Sequence, residues 1–315
     1  MQLIGQEKII SFFEKLIAKN SLSQAYCFVG RDSVGKRTVA RHLSSQLLTI
    51  EDQKLDTHPD FYYLSRSVDE KTGKLKKEIS IAQARQIKGR LGSRSWFGGY
   101  QAVIIDEAEL LNEESGNALL KILEEPTLKR VFFLLTNDDS KLLPTIKSRC
   151  QMIYFPLVLE NEIKSGLVGL GYAKEIAAEA AELAWGRPGL AITLCTNEEA
   201  VTNARNELKR WETIVAEPFY KKLTAVEDLL GDEEKNKIST VRTGEKLQDV
   251  LEIWQVLWRN ILLDKLFNKE NKIIAKANMP ITKIVRMIDL FRSSQVLLGQ
   301  NVNPKLVMEQ ILLQV

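Results

Sequence analysis

Short apolar runs alternate with amphipathic stretches along the first half of the chain. Runs of four or five apolar residues bounded by polar or turn residues are typical of strands buried on both faces, and the stretches between them carry apolar positions at helical spacing. We therefore predict an α/β domain built on a parallel five-stranded sheet. The predicted strands cover residues 25–29, 61–64, 102–105, 131–135 and 152–155, and the clearest predicted helices cover about 35–48 and 79–91.

The pattern changes after Pro156, where strand-like runs end and helical spacing dominates. An Ala- and Glu-rich stretch over 163–194 predicts a small helical domain. A wide apolar stripe between Leu247 and Leu262 predicts a larger one, and the polar stretch 231–246 is predicted to be a loop. We expect an α/β domain over residues 1–158, a small helical domain over 159–203 and an all-α domain over 204–315.

Composition narrows the class of protein only slightly. The chain has 44 Lys and Arg against 41 Asp and Glu, a net charge of +3 that does not by itself indicate a nucleic-acid binder. Its three cysteines, Cys27, Cys150 and Cys195, are too few and too scattered for a disulfide framework or a zinc cluster, so we expect no metal site. The first residues of the sequence have no long apolar segment of the kind found in secretory leaders, and no long uninterrupted apolar run follows. We therefore expect a cytoplasmic protein without a leader or a membrane span.

A glycine-containing loop lies between the first predicted strand and the helix that follows it. In this setting the run Gly30 to Lys36 is typical of a Walker A loop, although a structural glycine turn is the alternative. Gly30 and Gly35 would let backbone N–H groups converge on phosphate oxygens, and Lys36 would neutralise the β- and γ-phosphates.

One position of this loop departs from the Walker A pattern. The residue after the lysine normally supplies a Ser or Thr hydroxyl to Mg²⁺, and here it is Arg37. Thr38 follows, but one step along a helix turns a side chain by about 100° and points it away from the metal. We therefore expect at most weak nucleotide binding and no Mg²⁺ bound in the usual way.

An acidic pair ends the third predicted strand. Asp106 and Glu107 follow a run of apolar residues, as the acids of a Walker B motif do. In that motif Asp106 would orient the Mg²⁺ shell and Glu107 would activate the attacking water. Alone, an apolar run that ends in two acids is a weak signal.

The sequence after this pair is much more specific. The runs DEAELLNEESGNALLKILEEP at 106–126 and LLPTIKSRCQ at 142–151 resemble the AAA+ clamp-loader family of bacterial DNA polymerase III. The segments IGQEKI, LSQAYCFVG and HPDF fit the same family, and NVNPKLVMEQILLQV at 301–315 is similar to the last helix of its delta-prime branch. The resemblance is dense over 1–156 and thin in the helical half before the last fifteen residues.

The resemblance implies an AAA+ P-loop NTPase domain, a helical lid and an all-α collar for oligomerisation. It implies that Arg149 is an arginine finger acting in trans on nucleotide bound by a neighbouring subunit. It places Thr136 and Asn137 where a first sensor contacts the γ-phosphate, with a polar cap at the strand end as the alternative. The implied partners are the gamma/tau ATPase subunits and delta, the sliding clamp, and primed DNA through the assembled complex.

Two departures from the family pattern bear on activity. Arg37 replaces the Mg²⁺-binding hydroxyl residue, and Gly189 stands where the lid helix of an active subunit carries an arginine, with Arg187 nearby in the wrong register. The resemblance therefore implies a non-hydrolysing stator with a vestigial Asp106–Glu107 pair. We therefore expect that no cofactor is required and that ATP or ADP binds weakly at most. The sequence also lacks the cysteines of the four-cysteine zinc module that some relatives carry.

Several alternatives stay open at this point. The presence of both Asp106 and Glu107 is consistent with a catalytically active gamma/tau-type ATPase. A small-molecule P-loop kinase is disfavoured, because that function would leave the Ser-Arg-Cys motif unexplained. Arg149 could be a surface arginine paired with a carboxylate, and Cys150 is expected to be a small packed residue. The basic residues of the 85–94 segment are either a solvated helix face or a contact with DNA or a neighbouring subunit; they are Arg85, Lys88, Arg90 and Arg94.

Overall fold

A computed structural model of the chain contains a five-stranded sheet in which all four strand pairings are parallel. The structure describes residues 3–69, 73, 75–91, 95–124, 129–216, 218, 221, 280–299 and 302–314, and residues 247–266 except 248, 249, 252, 253, 256, 260, 263 and 264. The strands are β1 (Ala25–Val29), β2 (Phe61–Leu64), β3 (Gln101–Ile105), β4 (Arg130–Thr136) and β5 (Gln151–Tyr154). They confirm the five predicted strands, with ends that differ by one residue at most.

Helices connect and cover these strands. Those of the first half are α1 (Glu7–Ala18), α2 (Lys36–Leu48), α3 (Ile81–Leu91), α4 (Glu113–Glu124) and the short α5 (Pro144–Lys147). They are followed by α6 (Glu160–Gly169), α7 (Lys174–Ala184), α8 (Pro188–Thr196), α9 (Glu198–Ala216), α10 (Ile281–Gly299) and α11 (Pro304–Leu312).

The strand order is β2-β3-β4-β1-β5. The three central strands are buried at every position, which is why their sequences are apolar almost throughout. Because the strands are parallel, the loops after β1, β3 and β4 leave the sheet at the same edge. Those loops carry the glycine-containing run, the acidic pair and the Thr-Asn pair, so the topology alone brings the predicted site residues together.

Alternating residues of the strands pack against different helix layers. On β1, Tyr26 and Phe28 face a core that also holds Phe13 of α1 and Phe133 of β4. Cys27 of β1 faces the opposite core, which is covered by α3 and α4. The two apolar layers make the sheet a rigid base for the loops at its edge.

Contacts divide the chain into two compact units, Met1–Asn197 and Glu198–Val315. The first unit holds the sheet and also α6, α7 and α8. The predicted boundary near 158 therefore falls inside this unit, and the predicted division into three domains stays a prediction.

The described part of the second unit is helical and has its own aromatic core. The indole of Trp211 lies 4.4 Å from that of Trp254 and 6.1 Å from that of Trp258, between ring centroids, and all three are buried with Phe291. The predicted loop over 231–246 lies outside the described residues. Among the residues that are described, no helix is both long enough and apolar enough to cross a membrane.

Candidate nucleotide site

The loop between β1 and α2 is shaped by two residues with left-handed backbone conformations. Gly35 has φ of +104° and forms the N-cap of α2, a conformation that glycine adopts without a steric penalty. Ser33 has φ of +62°, which is uncommon for a residue with a side chain. The N-cap Gly35 has no side chain to cap α2, and the first N–H groups of a helix have no intrahelical partner, so these groups point toward the loop.

Lys36 is buried and its ammonium group bonds back onto the protein. Nζ donates to the carbonyl oxygens of Gly30 at 2.5 Å and Arg31 at 2.9 Å, and to Oδ1 of Asn137 at 2.7 Å. Three hydrogen bonds use all the donors of an ammonium group. Burial lowers the pKa of Lys36. Lys36 and Asn137, which follow two different strands at this edge of the sheet, are therefore in direct contact.

Arg37 forms an ion pair with Asp106, the first acid after β3. The guanidinium donates to Oδ2 of Asp106 through Nε at 2.8 Å and also through Nη2. The phenol of Tyr63 donates to the same oxygen at 2.6 Å. Burial, reinforced by the hydrogen bond to Asp106, raises the pKa of Tyr63, so the hydroxyl stays protonated and remains a donor. Asp106 is thus held by a cation and a phenol of its own chain.

Glu107, the second acid, is paired in the same manner. Arg66 donates to it through two parallel hydrogen bonds, Nε to Oε2 at 2.8 Å and Nη2 to Oε1 at 2.5 Å. Glu107 itself has φ of +54° at the end of β3. A water molecule would have to compete with Arg66 for the two oxygens of this carboxylate.

Sequence reasoning missed Tyr63 and Arg66. Tyr63 lies in β2, and Arg66 follows the last residue of that strand by two positions. Strand β2 pairs with β3, so that Leu64 lies beside Ile105, next to the two acids. The signal available in the sequence was the tyrosine hydroxyl of Tyr63 within the apolar run Phe61–Leu64. The structure shows that Tyr63 is the exposed residue of that strand.

The two threonines of the predicted site have different surroundings. The hydroxyl of Thr136 donates to the carbonyl oxygen of Asp138 at 3.1 Å and accepts from the N–H of Asp138 at 3.2 Å, which is the geometry of a strand-end cap. Thr38 lines the cavity beside the loop. The sensor role of Thr136 and Asn137 stays a prediction.

The N-terminus of α8 packs directly on the loop. The N–H of Gly189 donates to the carbonyl oxygen of Ser33 at 2.8 Å, and a Cβ at position 189 would lie 3.1 Å from that oxygen and 3.2 Å from the Ser33 Cβ. A larger residue at 189 would therefore require α8 and the loop to move apart slightly. Arg187 is buried with its guanidinium over the ring of Trp185, 5.7 Å from the ring centroid, and does not line the cavity.

A cavity of about 370 Å³ lies between the loop, α2 and α8. This is within the size range of small-molecule sites. Its charged lining residues are Asp32, Lys36, Arg37 and Asp106, and Gly35 and Gly189 contribute backbone. The cavity therefore coincides with the predicted phosphate site.

Arg149 lies apart from the lining of this cavity, between α5 and β5. It is bound in its own chain by Glu124 at the end of α4, through Nε at 2.8 Å and through Nη2, and Nη1 donates to the Thr145 carbonyl at 2.9 Å. Its side chain is 35% exposed. In the isolated chain Arg149 is thus a surface arginine paired with a carboxylate, which is the alternative given above. Its role in trans stays a prediction.

The basic residues of the 85–94 segment lie partly on α3, where Arg85, Lys88 and Arg90 are exposed. Arg94 lies outside the described residues. Contact of this face with DNA or with a neighbouring subunit stays a prediction.

Metal ligands do not cluster in the described part of the chain. There, no group of three or more His, Cys, Asp or Glu side chains could hold a metal ion. The expected absence of zinc stays a prediction.

We predict that Cys150 is unreactive in the folded protein. Burial raises the pKa of its thiol to about 12, and burial also raises the pKa of Cys27. The thiolate is the reactive form of cysteine, and with this raised pKa almost no thiolate is present near pH 8. Alkylation monitored by mass spectrometry should label Cys150 only slowly until denaturant is added. Rapid labelling of Cys150 in native buffer would contradict this prediction.

The first half of the chain is similar in sequence to known proteins. Residues 5–158 match the protein family described as DNA polymerase III, delta subunit. The chain is 34% identical over 149 residues to the DNA polymerase III subunit delta′ of Pseudomonas aeruginosa, a match that covers 43% of this chain and 44% of that protein. It is 30% identical to the subunit tau/gamma of Haemophilus influenzae, over 52% of this chain and 25% of that protein.

A solved structure shares the fold. The RuvB Holliday junction branch migration motor of Thermotoga maritima superposes with a TM-score of 0.50 at 19% identity, over 72% of this chain and 82% of that one. The sequence matches span less than half the length of each curated relative named above. Together with the five-stranded sheet, these matches show that residues 5–158 form a domain of the DNA polymerase III delta-subunit family, with relatives that are named subunit delta′.

Proposed function

We propose that the chain is a non-hydrolysing, delta-prime-like stator of a bacterial DNA polymerase III clamp loader. In this role it assembles with the gamma/tau ATPase subunits and delta, supplies Arg149 to nucleotide on a neighbouring subunit, and helps place the sliding clamp on primed DNA during replication. Its own nucleotide site binds ATP or ADP weakly at most.

The observation that carries the proposal is the ion pair between Arg37 and Asp106. A hydrolysing site needs Asp106 free to orient the Mg²⁺ shell and Glu107 free to act on water. In this chain both acids are held by arginines, Arg37 and Arg66. The contact of Gly189 with Ser33 adds support, because α8 packs on the loop at the position where the lid helix of an active subunit carries an arginine.

The rival function is an active gamma/tau-type ATPase. The presence of both Asp106 and Glu107 favours it, as does the match to a tau/gamma subunit. For turnover, however, both ion pairs would have to open in every cycle.

We expect the isolated chain to have no DNA-stimulated ATPase activity and to join the complex on mixing with the other loader subunits. Native mass spectrometry measures assembly, and phosphate release measures turnover. The informative variant is Lys36→Ala, which should leave turnover by the complex unchanged. Robust hydrolysis by the wild-type chain that Lys36→Ala abolishes would establish the rival function. A chain that stays free in the mixture would overturn the stator itself.

A further inference from the structure

We propose that Arg37 takes the place of the divalent cation at this site, so that the cavity binds a nucleoside di- or triphosphate free of metal. The inference rests on the proposed function, because it specifies the ligand of the weak nucleotide site. It differs from an ordinary P-loop, in which nucleotide and Mg²⁺ bind together.

Mg²⁺ does not fit the residues present. The ion requires near-octahedral oxygen ligands at about 2.0–2.1 Å, and the side chain at position 37 has no oxygen. Oδ2 of Asp106 already accepts hydrogen bonds from Nε and Nη2 of Arg37 and from the hydroxyl of Tyr63. Oδ1 accepts from the N–H of Glu107 at 3.1 Å. A metal ion would have to displace a guanidinium and would then lie beside it, and two cations at that distance repel.

The guanidinium is placed to do part of the work of the metal. It has five N–H groups, and Asp106 binds through Nε and Nη2 only. The side chain of Arg37 is 63% exposed, whereas that of Asp106 is 11% exposed. The carboxylate thus anchors the guanidinium through Nε and Nη2, and Arg37 lines the cavity together with Lys36 and Gly35. A fixed planar fork of this kind suits bidentate contact with phosphate oxygens.

The backbone supplies the remaining positive potential. The four charged residues that line the cavity, Asp32, Lys36, Arg37 and Asp106, balance one another. The excess comes from the uncapped N-terminus of α2, a helix of 13 residues whose first N–H groups have no intrahelical partner. Lys36 must also exchange its bonds to Gly30 and Arg31 before it can reach a phosphate. We therefore expect weak affinity for nucleotide. The property that distinguishes this site from an ordinary P-loop is that the affinity does not require a metal ion.

The test is titration calorimetry of the full chain with ADP and with ATP, in excess EDTA and in excess Mg²⁺. The expected result is an affinity in EDTA at least equal to that in Mg²⁺. A loss of roughly tenfold or more in EDTA overturns the inference, since it would show that a metal ion carries the binding. Absence of binding in both buffers at millimolar nucleotide also overturns it.

Two variants assign the effect to Arg37. Arg37→Thr should weaken binding in EDTA by roughly tenfold or more, the usual effect of losing a hydrogen bond to a charged group, and should make the remaining binding depend on Mg²⁺. Arg37→Lys keeps a positive charge without the planar fork and should fall between Arg37→Thr and the wild type. If Arg37→Thr binds in EDTA as well as the wild type, Arg37 does not have this role.

The matched control is Arg41→Thr, one turn further along α2. Arg41 is paired with Asp56 at 2.7 Å and does not line the cavity, so its replacement should leave nucleotide affinity unchanged. Circular dichroism and thermal unfolding of each variant confirm folding. Because binding is measured on the isolated chain, its failure leaves the assembly test of the stator untouched, and failure to assemble leaves this measurement valid.

Discussion

Replacement of Arg149 by alanine is expected to leave assembly of the clamp loader intact and to impair loading of the clamp. Arg149 lies between the end of α5 and the edge strand β5. In the isolated chain its guanidinium donates hydrogen bonds to Glu124 and to the carbonyl oxygen of Thr145. In the complex we propose that it exchanges these bonds for phosphate oxygens of a neighbouring subunit. An arginine finger contributes roughly 10³–10⁵ to the rate at the site that it serves. Total ATP turnover should fall only by a fraction, because one site among several loses its finger, whereas loading requires the whole ring.

The experiment compares wild-type and Arg149→Ala complexes at matched assembly and measures both phosphate release and clamp loading on primed DNA. The folding of the variant should be normal, because an exposed pair such as Arg149 with Glu124 contributes about 1 kcal/mol or less to stability. Lys147→Ala is the matched control, because Lys147 lies two residues before Arg149 and forms a surface pair with Asp139. Its replacement should leave loading unchanged. Normal loading by a fully assembled Arg149→Ala complex would show that Arg149 is only a surface residue.

Replacement of Phe133 by alanine is expected to lower the free energy of unfolding of the first unit by about 3–5 kcal/mol. Phe133 is fully buried in β4, and its ring centroid lies 5.4 Å from that of Phe28, 6.0 Å from that of Phe13 and 6.2 Å from that of Tyr26. Alanine would leave a cavity among rings that are held by α1 and β1 and that collapse poorly around it.

The measurement is hydrogen exchange of peptides from β1 and β4 over a denaturant series, because the two compact units need not unfold together. Phe97→Ala is the control, since Phe97 is 75% exposed and its removal should change stability by about 0.5 kcal/mol or less. A loss below about 1 kcal/mol for Phe133→Ala would mean that the core can repack around the missing ring.

The sequence by itself determined the strands and the location of the glycine-containing loop between β1 and α2. A strand buried on both faces must be apolar at nearly every position, so β1, β3 and β4 can be recognised in the sequence as nearly continuous apolar runs. The loop was legible because a left-handed turn before a helix selects glycine, as at Gly35. Arg37 could likewise be recognised as unsuited to Mg²⁺, because the metal's preference for an oxygen ligand is a local requirement.

Only the tertiary structure decided what the charged groups of the site bind. Arg37 and Asp106 are 69 residues apart in sequence, and Arg66 and Glu107 are 41 apart. These pairs exist because β2 lies beside β3 and because α2 begins at the same edge of the sheet. The packing of Gly189 on Ser33 similarly depends on where α8 returns to the loop. The strength of a charge pair depends on distance, and when the partners are far apart in sequence that distance is set by strand order and helix packing rather than by local pattern.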